Sequence, residues 1–183
     1  MPSLSTANTS TLRHIVVHHG STPTPPDSGV VHGVCLGPEH GVIVSAELRD
    51  GLWTAAGLQR YGSALKPIAE AVRGLLDADP GCRIVLDHGL RGRELADSIG
   101  KVEPRRRLQL FDARAEDRRY EVAGRLTHAI ESKTVRILGD LLEGPALRRA
   151  VSEATREDAG DRPELVALSL AVVDRRPPRP RIL

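Results

Sequence analysis

Apolar and polar positions fall into short runs whose periods change along the chain, and most runs end at Gly, Pro or Asp. Val30 to Leu36 and Val42 to Leu48 are β-branched runs separated by Gly37-Pro38-Glu39-His40-Gly41, the composition of a hairpin connection. His14 to His19, bounded by Gly20, reads as a shorter strand before them, joined through the proline-rich loop Ser21 to Gly29. Three antiparallel strands in succession are therefore predicted. Residues 49–65 carry several glycines and hold no clear period, so a loop with a short helical piece is expected.

Pro67 suits the first turn of a helix through Leu76, with Ile68, Val72, Leu75 and Leu76 on one face. Cys82 to Leu86 follows as a strand that ends in Asp87, turns on Gly89 and Gly92, and leads into a helix from Arg91 to Ile99. Leu108 to Phe111 predicts a further strand, Arg118 to Ser132 a helix, Val135 to Leu138 an edge strand, and Pro145 to Arg156 another helix. The last element, Leu165 to Val173, is apolar nearly all round and so is expected to be a buried helix. Asp161 and Glu164 stand before it at capping-box spacing. Met1 to Leu12 is polar and aperiodic, and 175–183 is a basic Pro/Arg tail, which leaves a single α/β domain over residues 13–174.

Strands alternating with helices put the chemistry of such a fold in the crevice outside the carboxyl ends of the strands. Asp87, the last residue of a central apolar run, is thus the first candidate for a working side chain. A helix cap is its structural alternative. His18 and His19 point to opposite faces of a regular strand, so one of them can face the site. With His88 nearby they suggest a His/Asp metal cluster of His19 with Asp87, although the Cys/His spacing of a structural zinc site is missing.

Composition narrows the classes. The chain has 183 residues, 40% hydrophobic and 27% charged, an ordinary globular balance. Aromatics are 2%, and Trp53, Tyr61, Phe111 and Tyr120 are too few for a base-stacking platform. The net charge is only +2, but arginines cluster at 105–107, 118–119, 148–149 and in the tail. Cys35 and Cys82 sit in apolar runs, as buried thiols of a reducing compartment do. No run is long enough to span a membrane, and a cytoplasmic location is expected. Gly100-Lys101 lacks the earlier glycine of a phosphate-binding loop.

The order of these elements is similar to the ribonuclease H-like fold, a central mixed sheet of about five strands flanked by helices. Within it the chain resembles the nuclease domain of phage and viral terminase large subunits, from about His14 to Val173. Ile84-Val85-Leu86-Asp87 with its glycine turn resembles the family's second acidic motif. Phe111-Asp112-Ala113-Arg114 through Arg118, a helix, and then Lys133 to Ile137 resembles its basic turn, helix and short strand. Gly160-Asp161-Arg162-Pro163-Glu164 before the apolar helix resembles its closing acidic motif.

The resemblance implies a metal-dependent DNA endonuclease of phage genome packaging or processing. Phosphodiester hydrolysis would use Mg2+ or Mn2+ held by Asp87, Glu164 and Asp161, with His19 beside them, and Arg114, Arg118 and Arg119 would hold the nucleic-acid backbone. The implied partners are double-stranded DNA and a separate ATPase or portal component, with no membrane, in the cytoplasm of an infected or host bacterial cell. Where the family's first strand ends in an aspartate, this chain has His18-His19-Gly20, with Asp27 on the following loop. Imidazole suits zinc or iron better than magnesium. A catalytically reduced module that binds nucleic acid or a protein partner is the alternative, and half of a sugar-kinase or actin-like fold is a third.

Overall fold

A computed structural model describes residues 28–100, 107–111, 115–138, 143–155 and 157–172. Val30–Leu36 (β1) and His40–Arg49 (β2) form the expected hairpin, closed where the Gly37 N–H donates to the His40 carbonyl at 2.9 Å. Asp50 and Gly51 follow with φ of 51° and 78°, the left-handed pair that a tight hairpin turn demands. The chain doubles back there into Leu52–Gly62 (β3), an 11-residue strand where a loop was predicted.

The irregular pattern of this strand has a physical cause. Ser45 pairs with Gly57 while Ala46 pairs with Ala55, so Ala56 is an extra residue on β3. This bulge moves the buried positions from Trp53 and Ala55 to Leu58 and breaks the two-residue period.

Leu65–Ala78 (α1) begins two residues before the predicted Pro67. Arg83–Asp87 (β4) pairs in parallel with β1, Leu90–Gly100 (α2) follows, and Leu108–Phe111 (β5) pairs in parallel with β4. Ala115–Glu131 (α3), Val135–Ile137 (β6) and Gly144–Glu153 (α4) come next, and β6 pairs in parallel with β3. A 3-10 turn, Ala159–Asp161, leads into Pro163–Val172 (α5).

Among the described residues the sheet has six strands in the order β5-β4-β1-β2-β3-β6. It is mixed, and its first three described strands, β1, β2 and β3, are antiparallel. The predicted strand His14 to His19, the lead-in and the tail lie outside the described residues. Helices α1 and α2 cover one face through Ile68, Val72, Leu76, Leu95 and Ile99. Helix α5 covers the other, with α3 and α4 packed beside it.

Every residue of α5 from Leu165 to Val172 is buried, as its all-round apolar sequence predicts. The helix lies so close to β1 that a Cβ on Gly33 would overlap the Ala167 carbonyl oxygen. Full burial of Leu165, Leu168 and Leu170 stabilises the fold by about 1.5–3 kcal/mol each. Among the described residues no helix is long and apolar enough to cross a membrane.

Candidate functional site

Asp87 is the last residue of β4 and only 5% exposed. Because β1 runs parallel to β4, with Val34 opposite Leu86, the next residue of β1 stands beside Asp87. That residue is Cys35. Its thiol lies 3.7 Å from Asp87 Oδ2 and donates to it. On the α5 side of the sheet, α3 supplies the third member, with Arg118 Nη2 3.2 Å from Asp87 Oδ2 and 3.7 Å from Cys35 Sγ.

Burial raises the Asp87 pKa, against the pull of the Arg118 guanidinium and of the Cys35 hydrogen bond. Burial, seconded by the Asp87 charge, also pushes the Cys35 thiol far up, so it is neutral. The cluster is one carboxylate, one guanidinium and one thiol.

The other candidate acids are each engaged with cations of their own. Glu164, at the start of α5, lies 3.1 Å from Arg60 and 3.3 Å from His40 Nε2, and Arg60 also reaches Glu143 at 3.4 Å. Asp161 lies 3.0 Å from Arg119. It sits in the 3-10 turn, two residues before α5 begins at Pro163, so Asp161 and Glu164 do not bracket the helix start as a capping box would. His88 places Nε2 2.7 Å from Arg93, turned toward α2. Arg118 faces Asp87 rather than solvent, while Arg119 is half exposed. His18, His19, Asp27, Asp112 and Arg114 lie outside the described residues.

The first described strand of the sheet is Val30–Leu36, and among the described residues it is Cys35 that faces Asp87 from it. The sequence reading expected a buried thiol at Cys35 but did not place it at the site. The available signal was its position two residues before the Gly37 turn, at the carboxyl end of a strand.

Mg2+ and Mn2+ favour several hard oxygen ligands. Among the described residues the crevice offers one buried carboxylate, already in contact with a guanidinium and a neutral thiol, and that set does not fit either ion. Among the described residues no three His, Cys, Asp or Glu side chains gather closely enough to hold a metal.

No family model matches the chain, and no curated protein matches its sequence. Solved structures do match in shape. The large-terminase nuclease of thermophilic phage G20c superposes with a TM-score of 0.57 at 15% identity, over 78% of this chain and 80% of that one. The Mn-bound nuclease domain of the bacteriophage SPP1 large terminase gives 0.51 at 15% identity, over 69% of each chain. The large terminase of a second thermophilic bacteriophage gives 0.56 at 13% identity, over 82% of this chain but only 41% of its counterpart. The chain therefore has the ribonuclease H-like fold of large-terminase nuclease domains.

Proposed function

We propose that this chain serves phage DNA packaging or processing as a terminase-type module acting on double-stranded DNA, with Asp87 at the centre of its site. The observation that carries this reading is a buried acid at the carboxyl end of β4, in the crevice where open α/β folds place their chemistry, within a fold shared with terminase nucleases. The G20c nuclease has been solved with zinc and the SPP1 domain with manganese. In its full form the reading is a metal-dependent endonuclease using Asp87, Glu164, Asp161 and His19, with an ATPase or portal component as partner. Two-metal cleavage needs carboxylates converging on ions about 4 Å apart.

The arrangement of the described residues supports the reduced form better. Asp87 is engaged by Arg118 and Cys35, and Asp161 and Glu164 each hold a different arginine. In this form the module binds DNA, or a protein partner of the packaging machine, without cutting. Arginines then engage the backbone without reading sequence.

Nicking of supercoiled plasmid with Mg2+ or Mn2+, beside a gel shift on linear duplex, separates the two. The reduced form expects duplex binding and no nicking by wild type or by Asp87→Ala. Nicking by wild type that Asp87→Ala abolishes establishes the endonuclease instead. The absence of both nicking and duplex binding removes the DNA reading altogether.

A further inference from the structure

We infer that Arg118 is the resident cation of the Asp87 crevice: its guanidinium balances the buried carboxylate in the role a divalent ion would otherwise fill, and with the neutral Cys35 thiol it forms a metal-independent link joining β4, β1 and α3. The three contacts close a triangle, with Arg118 Nη2 3.2 Å from Asp87 Oδ2, Arg118 Nη2 3.7 Å from Cys35 Sγ, and Cys35 Sγ 3.7 Å from Asp87 Oδ2. One carboxylate and one guanidinium sum to no net charge. A dication entering there would meet Arg118 at close range, with Asp87 the one carboxylate beside it among the described residues, and like charges in a poorly solvated site repel strongly.

The placement of Arg118 is built into the fold. It stands on the first turns of α3, and the next residue, Arg119, pairs the same turn with Asp161 of the 3-10 turn. Gly160 leaves the room this needs, since a Cβ there would press on the Arg119 backbone and side chain. Two successive arginines therefore fix the start of α3, one turned inward to β4 and one outward to the turn before α5. Cys35 completes the exclusion: an acid in its place on β1 would put a second carboxylate beside Asp87, the pair of hard ligands that a magnesium-like ion asks for.

The inference deepens the reduced form of the function, and it is read without DNA. Loss of duplex binding would remove the function and leave the crevice assignment standing. The test is thermal melting of the whole chain in chelator, in Mg2+ and in Mn2+. Wild type should melt at one temperature in all three. Arg118→Gln should lower Tm by roughly 5 °C, because it strands a buried carboxylate. The double variant C35D/R118Q should show a rise in Tm with Mn2+ that chelator reverses. A Mn2+-dependent rise in wild type that Asp87→Asn abolishes would overturn the proposal, as would an Arg118→Gln protein that melts like wild type or a folded double variant blind to Mn2+. Should the variants not fold, the comparison of wild type with Asp87→Asn decides alone.

Discussion

Asp87 and His32 are both buried polar side chains on adjoining strands, and they differ in what burial does to their protons. Burial raises the Asp87 pKa, so its protonated form gains in the fold, and the stability linked to it is lost as pH rises through the carboxylate range. His32, with Nδ1 2.8 Å from Ser45 Oγ, is pushed the other way: burial lowers its pKa more than the Asp79 charge raises it. The folded chain binds that proton less readily than the unfolded chain. Stability is therefore whole above the ordinary histidine range and falls as pH drops through that range toward the folded-state value. Melting at about pH 7.5 and pH 5.5 should show a lower Tm at the acid end, and His32→Asn should flatten the difference; an unchanged slope would place the proton elsewhere. At this scale the sequence was half legible. An apolar run closed by an acid marked Asp87, and the Gly37 turn marked Cys35 as a strand end, but neither pattern joins Cys35 or Arg118 to Asp87. Cys35 needs the parallel pairing of β1 with β4, and Arg118 needs the packing of α3 against α5.

Two glycines divide the reasons an element keeps its place. Gly51 holds φ at 78° with open space where a Cβ would go, so Gly51→Ala costs conformational strain alone, about 1 kcal/mol. Gly33 carries no such backbone demand, yet a Cβ there overlaps the α5 backbone at Ala167. Gly33→Ala should cost more, about 2–3 kcal/mol, by forcing α5 off the sheet. Urea titrations of the two variants check the order, and equal midpoints would refute it. The same pair explains what could be read along the chain. Helix α1 announces itself through its period, and α5 with strands β1, β2, β4 and β5 through apolar runs, and the structure keeps them within a few residues. Strand β3 does not. Asp50-Gly51 was a hairpin signal, but the extra residue Ala56 shifts Trp53, Ala55 and Leu58 out of one alternation, and a bulge exists only relative to a partner strand.

Across the whole molecule, the small net charge of +2 conceals a systematic pairing. Arg60, Arg118, Arg119, Arg125 and Arg162 each meet a carboxylate, so a phosphate backbone must compete with the chain's own acids for them. Among these, Arg119 is half exposed and released by a single change. Asp161→Asn should tighten duplex binding, and the dependence of log K on log salt should steepen by about 0.9 for one additional phosphate neutralised. Binding isotherms at several salt concentrations measure this, and an unaltered slope would show that Arg119 does not touch DNA. The burial of α5 has a further consequence for how the chain is made. The helix that covers β1 and β2 is the final described element, ending at Val172, whereas the strands it covers are complete by Arg49. During synthesis at about 5–20 residues per second, that apolar sheet face waits some seconds for its cover. A ribosome stalled before α5 would display a sticky half-sheet, which makes this stretch of translation the interval in which the nascent chain most needs a chaperone.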